Sequence, residues 1–324
     1  MLIKALIGVS LVSGALTMGQ LPDIGAPPGR LIDVGGRTLH FTCAGAGAPT
    51  VILEAGASSF ALDWSLVQPA IAKTHRVCSY DRAGHGWSDA RGSVDTPERV
   101  VADLHAALAA AGEKPPYLVV GASFGALYVR LYQLDHPDDV VGLVLVDPAT
   151  EDRLFTYYQG KAVAIGTLTA DQLKTTLPVS GAFPNRTRPV QTGVPFDLLP
   201  AELYQLRLKL DRRLIASAPA EVSAEVIRES SEGGRAAFAR LLESRTKSDA
   251  PIRKRPVIVL TRSQDMGDGL AENHAGVARL STNSRHTVVP KSGHEIHLFA
   301  PAVVIQAIQD VSAASRDNSP LPAR

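Results

Sequence analysis

The chain has 324 residues, enough for one large domain with an insertion or for two domains. Its 33 basic and 32 acidic residues nearly cancel, and no long like-charge block interrupts them. That balance excludes a nucleic-acid surface or polyanion-binding face as the organising feature. The two cysteines and nine histidines show no zinc-ligand spacing.

Met1–Lys4 is a short positive stretch, followed by an uncharged run from Ala5 to Pro22 rich in Leu, Ile, Val and small residues. This is the layout of an export signal, with Ala15, Thr17 and Gly19 near a cleavage point. The strongly apolar part, Ala5–Leu16, is short for a membrane span. An uncleaved anchor with Lys4 held inside is the alternative. Residues 1–22 therefore read as a signal peptide or a membrane anchor, and either puts the remainder in the periplasm or outside the cell.

Arg30–Val34 and Thr38–Cys43 flank Gly35-Gly36 and read as a β-hairpin. Val51–Glu54 is a short strand running into Gly56, and Arg76–Tyr80 is another running into Asp81. Pro97 opens a helix with Val100, Leu104 and Leu108 at helical spacing and Gly112 as its stop. Tyr117–Val120, β-branched and preceded by Pro115-Pro116, is a buried strand, and Phe124–Leu134 is a helix. Val140–Val146 and Val257–Thr261 are further apolar strands. Val288-Val289 lies before a final helix that opens at Pro301, with Val304, Ile308 and Val311 on one face. Such alternation predicts an α/β fold: a mostly parallel central sheet flanked by helices.

The interval 149–252 breaks that rhythm. It holds helical patterns around Leu203–Ile215, Val222–Ser230 and Arg235–Ser244, with a Gly/Pro-rich connection, Pro178–Pro200, in its middle. It reads as a helical lid inserted between two strands, its arginines and lysines on a solvated face. The sheet core then comprises 30–148 and 253–314, and the polar tail 315–324 is expected to be flexible. Arg253-Lys254-Arg255, just before a strand, reads as a solvated turn.

Gly121-Ala-Ser-Phe-Gly125 places Ser123 where a strand turns sharply into a helix. That geometry lifts the hydroxyl off the sheet edge, and the two glycines leave room that a Cβ would obstruct. The following helix aims its first N–H groups at developing negative charge. A nucleophilic serine needs a base, and ligands in such sheets bind at the carboxyl ends of the strands. His294, in Lys291-Ser-Gly-His-Glu-Ile-His297, lies on a loop after the last strand and suits that role. His297 is the second candidate, better suited to packing or lining the pocket; His274 and His286 carry no particular signal. Two aspartates at strand ends fit the acid: Asp147, closing Val140–Val146, and Asp265, after Val257–Thr261. Asp268 is a weaker third.

On these residues the chain resembles the α/β-hydrolase superfamily over about Arg30–Ser312. The motifs are Leu53-Glu-Ala-Gly-Ala57, Tyr80-Asp-Arg-Ala-Gly-His-Gly-Trp-Ser-Asp89, Gly-Ala-Ser-Phe-Gly, Leu143-Val-Leu-Val-Asp-Pro148 and Ser292-Gly-His294. It is most similar to a bacterial esterase-like branch with an amino-terminal export segment. The resemblance implies Ser123 as nucleophile, His294 as base, and the backbone N–H groups of Ala57 and Phe124 as oxyanion hole. Ala55 stands where many relatives carry histidine before the glycine, a change a backbone donor tolerates. Most members place the acid after the penultimate strand, which points to Asp265; some esterases use the tip of the strand after the nucleophile helix, which points to Asp147, the choice this branch favours.

In that fold the strands of Cys43 and Cys78 are neighbours, so a disulfide or two buried thiols is implied. Asp81–Asp89 is implied to be a structural loop, with His85 a candidate pocket residue. The activity implied is that of a carboxylesterase-like serine hydrolase on a small or medium apolar ester, without metal or organic cofactor. Lactone, thioester or amide hydrolysis, or a non-catalytic binding protein on the same fold, are the alternatives. Serine at the elbow argues against haloalkane dehalogenase and epoxide hydrolase chemistry, which use aspartate there.

Overall fold

The computed structural model describes residues 21–90, 95–152, 155–169, 171–172, 188–218, 223–246 and 251–323. The expected signal or anchor at 1–22 falls outside these residues but for Leu21 and Pro22. Among the described residues no helix is long and apolar enough to cross a membrane.

The strands, in chain order, are β1 (Arg30–Asp33), β2 (Thr38–Ala44), β3 (Thr50–Glu54), β4 (Val77–Tyr80), β5 (Tyr117–Ala122), β6 (Val140–Val146), β7 (Phe155–Tyr158), β8 (Lys161–Ala164), β9 (Val257–Arg262) and β10 (Ser284–Val289). Eight of them form one sheet in the order β1-β2-β4-β3-β5-β6-β9-β10. The β1–β2 and β2–β4 pairings are antiparallel, and every other pairing is parallel. β3, β5 and β6 are continuous apolar runs because both their faces are covered. β10 is an edge strand whose polar, half-exposed residues hide it from an apolar-run search, which finds only Val288-Val289.

The helices are α1 (Gln68–Ile71), α2 (Pro97–Ala111), α3 (Gly125–Asp135), α4 (Ala201–Ser217), α5 (Ala224–Thr246), α6 (Leu270–Ala278), α7 (Ile296–Phe299) and α8 (Pro301–Asp317). Thr96 caps α2 by accepting the Arg99 N–H, and Gly112 ends it in the left-handed region at φ +78°. On one face of the sheet Leu104, Leu127, Phe238 and Leu241 pack against Val119, Leu143 and Leu145. On the other, Trp64, Ile71, Ile296, Val304 and Ile308 pack against Leu118, Val120, Val144 and Ile258. With the sheet clamped between two apolar layers, its carboxyl edge is held rigidly enough to carry a site.

Three sequence expectations need correction. The interval 149–252 is not wholly helical, since β7 and β8 form an antiparallel hairpin within it. The two helices anticipated around Gly233-Gly234 are one, α5. A Cβ on Gly233 would lie 2.5 Å from Thr96 Cγ2, so the glycine serves close approach to the α2 cap rather than a break. Phe238 and Leu241 also join the main core, so α5 is part of the body, and α4 with residues 188–200 covers the site. Lastly, the tail is tied down over its described residues, 315–323: Asn283 exchanges hydrogen bonds with Ser319 and Leu321, and Arg285 donates to the Pro322 carbonyl.

Cys43 and Cys78 face each other across β2 and β4 and are joined by a disulfide.

Candidate active site

At the end of β5 the chain turns into α3 through Ser123, held at φ +52°, a strained region for a residue with a side chain. Its N–H donates to Val146 O (3.0 Å), and its carbonyl accepts from Ala126 N (3.1 Å) and Ala149 N (3.0 Å). The neighbouring glycines are there for backbone approach. A Cβ on Gly121 would sit 2.6 Å from the Gly125 carbonyl, and one on Gly125 2.6 Å from the carbonyl oxygens of Glu54 and Ala55.

The His294 ring spans Ser123 and Asp147. Nε2 is 2.9 Å from Ser123 Oγ, and Nδ1 is 2.5 Å from Asp147 Oδ2. An ionised aspartate only accepts, so the ring proton sits on Nδ1 and the Nε2 lone pair faces the serine hydroxyl. Asp147 ends β6 at φ +42°, its N–H bonded to Leu260 O at 2.8 Å. Arg262 donates its backbone N–H to Oδ1 (2.9 Å) and Nη1–H to Oδ2 (2.8 Å). Burial alone would raise the Asp147 carboxyl, but hydrogen bonds from His294 and Arg262 and their charges outweigh it and hold the group below its ordinary value. Asp265 is corrected here as the alternative acid: it is exposed, and its backbone carbonyl, not its carboxylate, enters the network by accepting from Arg262. Asp268 is exposed as well.

Sequence reasoning overlooked the layer behind the acid. His274 places Nε2 2.9 Å from Pro148 O and Nδ1 2.7 Å from Thr261 Oγ1, which in turn is 2.7 Å from His286 Nε2. Burial drives the His274 pKa down to about 4, so a neutral ring donates one N–H to Pro148 and braces the turn after Asp147. A buried pair does the same for the loop at 55–57. Arg82 bonds Glu54 Oε1 (2.5 Å) and the carbonyls of Ala55 (2.7 Å), Gly56 and Ala57 (3.0 Å). Tyr80 donates to the other Glu54 oxygen, and His85 Nε2 lies 3.1 Å from Ala57 O. With its carbonyls engaged, the loop leaves the Ala57 N–H unused, and no acceptor among the described residues meets it or the Phe124 N–H. The one sequence signal for this layer was a charge closing the apolar strand β3. Asp81–Asp89 folds about the buried Asp81 carboxylate, which bonds His40 and the Ala61 N–H.

A cavity of about 160 Å³ opens beside Ser123, with Ser58, Ser59, Gln191, Glu295 and His297 in its wall. Gly56, Ala57 and Ala122 complete that wall, which mixes small apolar and polar groups. Arg207 on α4 anchors the cover through Asp63 Oδ1 (2.8 Å) and Gln191 Oε1 (2.9 Å) and stacks 3.4 Å over the Phe196 ring. His297 packs on Trp64 with ring centroids 4.6 Å apart. Burial, then the nearby His294 and Arg207, push its pKa down to about 3. It is a neutral lining residue.

A family model described as alpha/beta hydrolase fold matches residues 49–301. The uncharacterized protein YqjL of Bacillus subtilis (strain 168) is 25% identical over 283 residues, spanning 86% of this chain and 89% of its own. Among solved structures, the epoxide hydrolase CorEH superposes with a TM-score of 0.61 at 17% identity, covering 88% of this chain and 97% of that one. The enol-lactonase from Burkholderia xenovorans LB400 gives 0.58 at 19% identity, covering 85% and 96%. At such identities the structural likeness concerns the fold.

Proposed function

The chain belongs to the α/β-hydrolase family, and on that premise we propose that it is a serine hydrolase cleaving carboxylic esters through an acyl-serine intermediate. The observation that carries this is the hydrogen-bonded line from Ser123 Oγ through His294 to Asp147. Ser123 Oγ attacks the ester carbonyl carbon while its proton passes to His294 Nε2. The resulting imidazolium keeps its Nδ1–H on Asp147. The carbonyl oxygen, now an oxyanion, accepts from the N–H groups of Ala57 and Phe124, donors worth about 3 kcal/mol each in such sites. Collapse of the adduct breaks the bond to the alcohol, which leaves with the proton from His294. Water then attacks the acyl-enzyme carbonyl and gives a proton to His294, which passes it to Ser123 Oγ as the bond to the acyl group breaks and the acid departs.

The chemistry of the epoxide hydrolase neighbour is not transferred, because the elbow here bears serine rather than aspartate. A binding protein on this fold would not need a base aimed at that hydroxyl. The small cavity favours a small ester over one with a long acyl chain. Export is part of the same proposal, supported by the uncharged run Ala5–Pro22 and by a disulfide suited to an oxidising compartment. The test is p-nitrophenyl acetate turnover alongside fluorophosphonate labelling. Wild-type protein is expected to turn over and label, and Ser123→Ala to do neither. Labelling that survives in Ser123→Ala would overturn the proposal.

A further inference from the structure

The geometry points to Arg262 as a positioning residue that fixes Asp147 and shares its charge with His294; this rests on the serine-hydrolase reading above. Arg262 closes β9, between the acid on β6 and the histidine loop after β10. It holds both aspartate oxygens, one through its backbone N–H (2.9 Å) and one through Nη1 (2.8 Å). Its Nε and Nη2 are tethered to the Asp265 carbonyl at 3.3 and 3.1 Å. Nη1 also lies 3.1 Å from His294 Nδ1. Since Nδ1 carries the ring proton, that approach is not a hydrogen bond between the two. Two donors converge on a single acceptor, Asp147 Oδ2.

Two consequences follow. Tethered on both sides, the guanidinium fixes the plane of the carboxylate and so the direction in which the imidazole points. And because a permanent cation already draws on Oδ2, the imidazolium formed when His294 takes a proton receives less stabilisation than an unshared carboxylate would give. Among the described residues, the other charged or titratable groups around the ring are Ser123 from the elbow, Glu295 and neutral His297 from its own loop and α7, and neutral His274 from α6 behind Asp147. Of these, His274 also feels the Arg262 charge, but burial is the larger cause that holds it neutral and it persists when Arg262 is changed.

The experiment measures the rate of fluorophosphonate labelling of Ser123 from pH 5 to 9 in wild type, Arg262→Met, Arg262→Gln and Arg262→Lys. Labelling requires the neutral imidazole. Removing the neighbouring cation favours the protonated ring, so in the Met and Gln variants the acid limb moves to higher pH by about one unit. Their plateau rate also falls about tenfold as the carboxylate loses its tether. Arg262→Lys keeps the charge but cannot grip Asp147 and the Asp265 carbonyl together, so its limb stays near wild type while its plateau falls. A purely structural arginine would lower the plateau, or the melting temperature, without moving the limb. An unmoved limb in whichever neutral variant folds and labels overturns the inference. If neither neutral variant folds, a Lys limb displaced from wild type, or a Lys plateau equal to wild type, overturns it. Absence of labelling in wild type, or labelling in Ser123→Ala, would instead overturn the serine-hydrolase reading itself.

Discussion

Replacing Asp147 by asparagine is the sharpest probe of the site, because the structure shows what each amide orientation must meet. Oδ1 accepts the Arg262 N–H, and Oδ2 accepts from both His294 Nδ1 and Arg262 Nη1. With the asparagine oxygen at the first place, its NH2 faces Arg262 Nη1, donor against donor, and donates to Nδ1. The ring proton is then driven to Nε2, where it points at Ser123 and blocks proton uptake. In the opposite orientation the tautomer survives, but the NH2 opposes the Arg262 N–H and the imidazolium has lost its counter-charge. Both routes remove an interaction made mainly in the transition state, so kcat and kcat/KM should fall together with little change in KM. A loss of about 10³ to 10⁴-fold, or about 4 to 5.5 kcal/mol of barrier, is expected. The assay is p-nitrophenyl acetate kinetics with active-site titration, and Asp265→Asn, altering an exposed carboxylate, should remain within about twofold of wild type. An Asp147→Asn enzyme within tenfold of wild type, or an equal fall in Asp265→Asn, would refute the reasoning.

Reduction of the Cys43–Cys78 disulfide, which spans a sequence separation of 35, should cost about 3 to 4 kcal/mol by loop-closure entropy; thermal melts with and without phosphine report it, and an unchanged melting temperature would contradict it. His297 is held neutral down to about pH 3, whereas the unfolded chain protonates it near 6.5. Its contribution to stability is therefore complete above about pH 6.5 and lost as pH falls towards 3, at up to about 1.4 kcal/mol per pH unit. Urea unfolding at pH 7 and pH 5 should show a smaller acid loss in His297→Gln than in wild type, and equal losses would count against it. Glu54→Gln leaves Arg82 buried without its counter-charge, so about 3 kcal/mol of stability should go, and acylation should fall more than binding because Arg82 also carries the carbonyls at 55–57; a variant matching wild type in urea midpoint would rule that out.

The parts of the site legible in the sequence were those whose chemistry is packed into a few adjacent residues. Ser123 is bracketed by glycines that the fold demands, and His294 follows Ser-Gly on a loop between a strand and a helix. The acid could not be chosen the same way. Asp147 and Asp265 both close apolar strands, and the distinction lies in which side chain turns inwards, a property set by Arg262 and His274 from other strands and helices. The clamp of Arg82 on Glu54 was likewise invisible, since it joins residues on β3 and after β4 through buried contacts. Among the elements, strands buried on both faces announced themselves, while the polar edge strand β10 and the hairpin β7–β8 did not. Gly233-Gly234 imitated a helix end because packing against Thr96, not local propensity, chose those glycines.

The choice of acid also accounts for the arginine beside it. In the sheet, β5, β6, β9 and β10 are successive neighbours, so Ser123, Asp147, Arg262 and the loop of His294 stand at consecutive strand tips about 4.8 Å apart. With the acid on β6, next to the serine strand, the histidine must reach back across the tip of β9 to touch both. An apolar side chain there would leave the Asp147 carboxylate, already turned inwards at positive φ, with no donor on that flank but a backbone N–H. A carboxylate there would repel it. A guanidinium tethered to the Asp265 carbonyl suits that gap: it supplies the missing donor and cannot swing into the space the imidazole needs. An aspartate at the tip of β6 that faces the His294 ring and an arginine at the tip of β9 thus belong together physically.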